Sequence, residues 1–577
     1  MEFTTGLNVL VGENNIGKTN ILDSIRIAIG TVLATKEDLP IGGEKGKPIK
    51  ITLIYHSLSE EERAQFIDIL NFDARNPELS TAQINFEWSY NESLKKWSRR
   101  RWGGTNSETE RSVPEEVLQS LQITALDALR DARSELKPGP KNRLASLIDL
   151  LSTDADKARI IAEFDRANQK LQEEGLIQKT SKLVQTTLTG ATGTILKQDA
   201  SIANSESDFE KIIRNLRLLV GTGIPLELST NGLGYNNLLF IACIISELGS
   251  MEEGDCPLLL VEEPEAHLHP QLQTILASFL SEEINKIEEF KRKPQIIVTT
   301  HSPTIAAHIA PSQIRLIYTN AEKELSFFSL FDFLEKTEEN KVRRMLDVTR
   351  ASMLFAKGII FVEGESENIL LPVLAKRKQL NLEHHAIAIV PVSGVDFNTL
   401  ASLFGQDKIG IKVSLITDSD PKIIDASGSD EYKWSEAIPH KEANGIISKS
   451  DRVKSLITTY SGNSLVKVFT SDVTLEYDLA FAGEDNPTTM TKAWEDCYTD
   501  GSPRNLNLAK LNSYTTHNEK VLAVWRGICL SNAIIHKPVF AQELAENLSK
   551  KAANGNFEIN NFAIPEYIKK AFEHVLN

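Results

Sequence analysis

The chain has 577 residues, 41% of them hydrophobic and 25% charged, and a formal net charge of −16. That length suggests about three structural units, and the composition is that of an ordinary globular protein rather than a disordered or fibrous one. An acidic surface repels a nucleic-acid backbone, so any DNA contact needs a local basic patch and any carboxylate-rich site needs a divalent cation.

Residues 6–12, Gly-Leu-Asn-Val-Leu-Val-Gly, predict a short buried strand running into a glycine turn, and the spacing of Ile21, Leu22, Ile25, Ile29 and Val32 predicts a helix after it. Between them, Gly12-Glu-Asn-Asn-Ile-Gly-Lys18-Thr19 matches G-x-x-x-x-G-K-[ST]. In that order of strand, loop and helix, backbone N–H groups around Gly12, Asn15 and Gly17 cradle the phosphates of a nucleoside triphosphate at a helix N-terminus. Lys18 neutralises the β- and γ-phosphates and the Thr19 hydroxyl coordinates Mg²⁺, so an ATPase or ATP-dependent switch is expected. Segments 50–55 and 81–88 alternate like strands. Leu94-Lys-Lys-Trp97-Ser-Arg99-Arg100-Arg101-Trp102 interleaves basic and aromatic residues. It is either a DNA contact or a charged hairpin edge guarding against aggregation, and we favour the second.

From about 115 to 215 the pattern is mostly helical, and 157–182 is either a helical arm or a plain pair of surface helices. Ser229-Thr-Asn-Gly232-Leu-Gly234 precedes a strongly apolar helix over 238–248 and is expected to form a second phosphate clamp. Leu258-Leu-Leu-Val-Glu262-Glu263-Pro264-Glu265 is a buried strand ending in acid. Glu262 is the expected metal-side acid, and Glu263 the general base or water-orienting group. His267 and His269 are read as a structural turn at a subunit contact, not as metal ligands. The strand 295–300 delivers His301, in Thr299-Thr300-His301-Ser302-Pro303, toward the γ-phosphate. A hairpin over 316–318 and 325–328 closes this half, and a charged helical connector follows over 333–350. Lys341, Arg343 and Arg344 in it are a further candidate phosphate contact.

At Gly358 the α/β rhythm restarts, with strands over 358–362, 386–392, 412–417 and 465–469, a surface insertion over 421–450, and about 70 mainly helical residues at the end. Three acidic edges stand out: Glu363-Gly-Glu-Ser-Glu367, Asp418-Ser-Asp420 and Leu-Glu476-Tyr-Asp478. Hard oxygen donors of this kind suit Mg²⁺ or Mn²⁺ and phosphodiester hydrolysis. Cys243, Cys256, Cys497 and Cys529 form no CxxC pair, which argues against zinc or disulfides and fits a reducing cytosol. With no apolar run long enough for a bilayer and no leader pattern, a cytoplasmic protein is expected.

The phosphate loop, the Ser229–Gly234 clamp, Glu262-Glu263 and His301 together resemble the ATP-binding-cassette ATPases of the RecF/SMC type over roughly residues 5–320. The resemblance implies that the clamp of one protomer closes over ATP bound to the other, and Glu262, where transporters have Asp, fits this subgroup. Members usually begin with a further β-hairpin; the start Met1-Glu-Phe-Thr-Thr leads to the expectation of a truncated start or reduced contacts on the adenine side. E-G-x-x-E followed by D-x-D resembles the TOPRIM domain. An ABC-type ATPase followed by TOPRIM resembles the OLD (overcoming lysogenization defect) family of nucleases over nearly the entire chain. Ala125 to Arg133, followed by Pro138-Gly, is similar to that family's linker into a helical dimerisation insert. His536-Lys537-Pro538 to Ala545 is similar to its motif with a catalytic lysine, with Pro538 where Gly is usual.

The expected fold class is α/β: an ABC/SMC-like ATPase domain over 1–345 with a helical dimerisation insert at about 115–215, then a Rossmann-like TOPRIM domain and helical C-terminal region over 346–577. The resemblance implies that Glu363, Asp418 and Asp420 hold one metal, that Glu367, Glu476 and Asp478 contribute to another, and that Lys537 stabilises the pentavalent phosphate or protonates the leaving group. It implies an ATP-regulated, Mg²⁺- or Mn²⁺-dependent DNA endonuclease in bacterial anti-phage defence. It also implies a homodimer or higher homo-oligomer, with a UvrD-like helicase or a retron reverse transcriptase and its RNA–DNA as possible partners and no membrane. The rival reading, a RecF/SMC-like repair ATPase without nuclease activity, accounts for the first half only. A TOPRIM topoisomerase or primase lacks a domain for the strand-cleaving Tyr, or a zinc-binding Cys cluster, in this sequence.

Overall fold

A computed structural model describes residues 1–39, 47–91, 93, 95–105, 111–128, 135–192, 199–200, 202, 208–221, 224–251, 256–282, 294–330, 336–392, 397–429, 433, 435–441, 445, 447–498, 506–530, 536–552, 555 and 557–576. Arg130 and Arg133 of the expected linker, and Leu94 of the basic stretch, lie outside them. The chain forms two compact units: one of residues 3–9 and 19–300, the other of residues 1–2, 10–18 and 301–577.

In the first unit, strands Ile123–Leu126, Leu258–Glu262 and Gln295–Thr300 run parallel, with Leu258–Glu262 in the middle. Parallel strands are covered on both faces, which is why Leu258 to Val261 and Ile296 to Val298 are unbroken apolar runs. The strand at 123–126 sits inside a stretch whose sequence reads as mostly helical; pairing with Leu258–Glu262 overrides local preference there. The described helices of that stretch include Arg143–Leu151, Asp154–Glu173, Gly175–Thr192 and Phe209–Arg214. Thr153 and Asp156 form a capping box that starts the helix Asp154–Glu173.

A separate antiparallel sheet pairs Ile49–Tyr55 and Lys96–Gly103 with Thr81–Asn91. The basic stretch is an outer strand of it. Trp97 stacks on Trp88 at 4.2 Å between ring centroids, Arg99 Nη2 donates to the Ala34 carbonyl at 3.0 Å, and the Arg100 guanidinium lies over the Trp102 ring. Aromatics already stacked within the protein are not free to stack on bases, so the hairpin-edge reading is the one the geometry favours.

In the second unit, Ile314–Thr319 and Leu325–Ser329 form the expected hairpin. Four parallel strands follow in the order Ile387–Pro391, Gly358–Val362, Lys412–Thr417, Val466–Thr470. Phe361, in the central Gly358–Val362 strand, is fully buried. Removing it leaves a large cavity in a packed core, so Phe361→Ala is expected to destabilise this unit by about 3–5 kcal/mol. Urea unfolding followed by the fluorescence of the buried Trp494 and Trp525 in the same unit checks this. The C-terminal helix Glu566–Leu576 closes over the sheet, where the Ser414 hydroxyl donates to the Ala571 carbonyl at 2.8 Å. Among the described residues no helix is long and apolar enough to cross a membrane.

Candidate functional sites

The strand Leu7–Val11, the glycine loop and the helix Lys18–Ile29 follow one another in the order the spacing predicts. Asn15 and Gly17 take φ values of 61° and 99°, which turn the loop back on itself. A Cβ on Gly12 would stand 2.4 Å from the Ile317 carbonyl oxygen, so only glycine fits. Lys18 begins the helix Lys18–Ile29, and its buried Nζ donates to the carbonyls of Gly12 at 2.8 Å and Glu13 at 2.7 Å. The ammonium thus lies in the hollow of its own loop. The Thr19 hydroxyl hydrogen-bonds the Glu262 carboxylate. These are the two side chains expected to share an Mg²⁺, and the strand Leu258–Glu262 and the helix Lys18–Ile29 bring them together.

Glu263 follows at φ 42°, an uncommon conformation for a side-chain-bearing residue. Its N–H donates to the Thr299 carbonyl at 3.0 Å, which fixes the turn at the strand end. The buried Glu265 accepts from the Thr300 hydroxyl at 2.7 Å. Sequence reading gave no role to this pair, although the Glu-Glu-Pro-Glu run contains the signal. His269 caps the helix Pro270–Ser281, its Nδ1 accepting from the Gln271 N–H at 3.4 Å, and His267 takes φ 65°. Both therefore belong to a structural turn. Gly232 is the N-cap of helix Leu233–Gly249, and a Cβ on Gly234 would approach the His267 carbonyl oxygen to 3.1 Å. Ser229 lies in the short 3₁₀ turn just before. His301 directly follows the Gln295–Thr300 strand, and Ser302 caps the next helix by accepting from the Ile305 N–H at 3.3 Å.

The second constellation lies in the other unit, at the carboxyl ends of three adjacent parallel strands. In-register pairing places Val362 beside Ile416, Ile416 beside Phe469 and Thr417 beside Thr470. Glu363, Asp418 and Ser471, the next residues of each strand, therefore emerge at one edge, where open α/β sheets place their sites. Glu363 Oε1 accepts from the Thr417 hydroxyl, from the Asp418 N–H at 3.1 Å and from Arg452 Nη2 at 2.6 Å. Arg452 Nη2 also donates to Asp420 Oδ2 at 3.0 Å. Asp418 Oδ1 accepts from the Ser471 hydroxyl at 3.3 Å. Asp420 takes φ 44°.

Glu476 and Asp478 are not on a strand edge but in the first turn of a helix, Leu475–Phe481, because Thr474 caps it by accepting from the Tyr477 N–H at 3.4 Å. Glu476 Oε2 accepts from Lys537 Nζ at 3.2 Å and from the Cys529 thiol at 3.3 Å. Lys537 opens the helix Lys537–Ser549, and Pro538 sits in its first turn, where a missing N–H costs nothing. Asp478 differs from the other acids: it accepts from the backbone N–H groups of Asp472 at 3.0 Å and Val473 at 3.1 Å and so holds the loop after the Val466–Thr470 strand.

The electrostatics follow from this crowding. Burial, reinforced by Glu476 and Glu363, pushes the Glu367 carboxyl up to about 7. Burial, with Glu476 and Glu367 next, raises Asp418 well above the ordinary range. Burial also opposes the charge of Glu476, but Lys537, a backbone N–H and Cys529 outweigh it and hold that carboxyl low. Lys537 is likewise held protonated against its burial, chiefly by Glu476. Burial and Glu476 raise the Cys529 thiol, which makes it a weak donor and not a nucleophile. Five carboxyls, those of Glu363, Glu367, Asp418, Asp420 and Glu476, gather around two cations, Lys537 and Arg452, and their oxygen donors suit a hard divalent ion. Among the described residues, no three His, Cys, Asp or Glu side chains converge as ready-made ligands of one ion. At Glu363 and Asp420 the reason is visible, since the Arg452 guanidinium occupies that position.

Residues 7–307, more than half of the chain, match the family described as "AAA domain, putative AbiEii toxin, Type IV TA system". Residues 354–420 match "Overcoming lysogenization defect protein-like, TOPRIM domain". The chain belongs to this AAA domain family and carries an OLD-like TOPRIM domain. It is 27% identical over 199 residues to "Endonuclease GajA" of Bacillus cereus (strain HuB5-5), which is 30% of this chain and 28% of that one. It is 23% identical over 453 residues to "Endonuclease GajA" of Bacillus cereus (strain VD045), covering 72% of this chain and 71% of that one. It is 27% identical over 141 residues to "OLD nuclease" of Thermus scotoductus (strain ATCC 700910 / SA-01), covering 24% and 26%. Two of these three alignments thus reach little more than a quarter of the relative's own length. The TOPRIM match spans Glu363, Glu367, Asp418 and Asp420, the acids of two of the three strand ends.

Proposed function

We propose that this chain is an ATP-regulated, divalent-metal-dependent DNA endonuclease of the OLD family that acts in bacterial defence against phage. The observation that carries the reading is the acid cluster formed by Glu363, Asp418 and Asp420 at the sheet edge and by Glu367 and Glu476 on helices beside it, with Lys537 on Glu476. The named relatives support it. Bound Mg²⁺ or Mn²⁺ would supply an activated water and neutralise charge developing on the phosphate. Glu363, Asp418 and Asp420 would hold one ion, and Glu367 and Glu476 another. Asp478 accepts from backbone N–H groups of the loop that presents Glu476 and would contribute to the second ion from there. Lys537 brings positive charge to the pentavalent phosphate or its leaving oxygen.

Residues 1–345 would form the ATPase domain, with a dimerisation insert at about 115–215, and 346–577 the nuclease domain. Gly12, Asn15, Gly17 and Lys18 would cradle ATP, Thr19 and Glu262 its Mg²⁺, Glu263 the attacking water, and His301 the γ-phosphate. Ser229, Gly232 and Gly234 would close over the nucleotide of a second copy, so the acting form is a homodimer or larger. DNA is the substrate; a UvrD-like helicase or a retron reverse transcriptase with its RNA–DNA is the candidate further partner, and the site of action is the cytoplasm. A RecF/SMC-like repair ATPase without nuclease activity is the second reading, and it leaves the acid cluster without a role. Supercoiled plasmid incubated with the protein and Mg²⁺ or Mn²⁺, with and without ATP, separates the two. Nicked or linear product is expected; intact plasmid under every condition selects the ATPase-only reading.

A further inference from the structure

No motif in the sequence points to Arg452, yet it makes the closest charged contacts in the acid cluster. It sits at the start of helix Asp451–Tyr460, whose Val453, Leu456 and Tyr460 are buried and whose first turn follows the Ser450 N–H bond to the Ser419 carbonyl at 2.9 Å. The base of the arginine is therefore fixed beside the Asp418–Asp420 loop, while about half of its side chain is exposed, 49%. Nη2 lies 2.6 Å from Glu363 Oε1 and 3.0 Å from Asp420 Oδ2. A divalent ion such as Mg²⁺ held by the same two oxygens, at about 2.0–2.1 Å from each, would need the space that this nitrogen fills. The two cations are mutually exclusive at that point.

Which one yields follows from their chemistry. A half-exposed guanidinium on a flexible stem gives up an ion pair cheaply, because water solvates it on leaving. Its reach from a fixed helix keeps it at the rim of the acid cluster. There a planar, permanently charged fork with several N–H donors matches a phosphodiester oxygen pair. Resting on the nuclease reading above, we propose that Arg452 is an exchangeable counter-cation. In the metal-free protein it neutralises Glu363 and Asp420; an arriving divalent ion displaces it, and the released guanidinium then binds a phosphate of the DNA. Metal occupancy and substrate grip are thereby coupled through one side chain.

Mn²⁺ binding to the full-length, nucleotide-free protein, read by electron paramagnetic resonance, tests the first half. Sites lost in Asp418→Ala define the nuclease-site signal. Arg452→Ala and Arg452→Gln are expected to bind Mn²⁺ there about three- to tenfold more tightly than wild type, the worth of a modest ion pair. Lys449→Ala removes a nearby charge that hydrogen-bonds Thr470 instead. An Arg452 effect no larger than the Lys449 effect overturns the exchange. Duplex binding with Ca²⁺ across a salt series tests the second half. Loss of one phosphate contact is expected to flatten the slope of log Kd against log salt by about one. An unchanged slope overturns the phosphate role. If Asp418→Ala leaves both Mn²⁺ binding and plasmid nicking intact, the nuclease reading itself falls, which is a separate result from either of these.

Discussion

Asp418→Ala is expected to remove plasmid nicking by the full chain, with a fall in rate on the order of a hundredfold or more. Partners one shell out from a metal typically cost about 10–100-fold when lost, and a direct ligand should cost at least that. Asp418 is the central acid of the cluster: it is the first residue past the middle of three adjacent strands, and burial and the fields of Glu476 and Glu367 raise its carboxyl. Among the described residues the Asp418 side chain accepts from the Ser471 hydroxyl, so its replacement breaks a neutral hydrogen bond and relieves like-charge crowding. The fold is therefore expected to survive, and Asp418→Asn, which keeps the volume, should melt within a few degrees of wild type. Nicking assayed beside a melting curve separates lost chemistry from lost structure. A variant that nicks at the wild-type rate removes the basis for placing the nuclease here.

Lys18→Ala is expected to lower ATP turnover by about 10²–10³-fold, the usual cost of losing one preorganised charge-stabilising donor. Its ammonium already lies 2.8 Å and 2.7 Å from the Gly12 and Glu13 carbonyls, inside the loop that would surround the phosphates. Little rearrangement is needed to bring it to a bound nucleotide. Glu263→Gln should slow hydrolysis while leaving binding, because it removes the water-orienting carboxylate and keeps the Glu263 N–H bond to Thr299. Turnover by phosphate release and binding of a fluorescent ATP analogue distinguish the two variants. Turnover that survives both substitutions would sink the assignment of the nucleotide site. If nicking by the Lys18→Ala protein no longer responds to ATP, the loop acts as the regulator of the nuclease.

Local pattern carried much of this far. The unbroken apolar runs at 258–261, 296–298 and 359–362 are the strands they resemble, since strands buried on both faces need no alternation. The phosphate loop is legible because its chemistry is sequential: one glycine where a Cβ would strike Ile317, another at φ 99°, and the lysine beside them. Other features resist such reading because their cause is not local. The strand at 123–126 exists only by pairing with Leu258–Glu262. Glu476 and Asp478 are helical because Thr474 caps them, and their spacing alone does not distinguish that from a strand edge. Asp478 looks equivalent to its neighbours in sequence, but two backbone N–H groups give it a loop-holding role.

The sequence by itself determined the chemical alphabet of both sites: a phosphate loop, acids at strand ends, and a lysine in a late helix. Those are fixed by short motifs whose residues act within a few positions of one another. Tertiary structure decided which of these residues meet. Parallel register brings Glu363, Asp418 and Ser471 to one edge across more than a hundred residues, and a distant helix lays Lys537 on Glu476. It also brought in Arg452, a residue without a motif, whose place on Glu363 and Asp420 comes from helix packing alone. Charge acts through space, so the groups that govern a carboxylate cluster are those the fold brings near, wherever they stand in the chain.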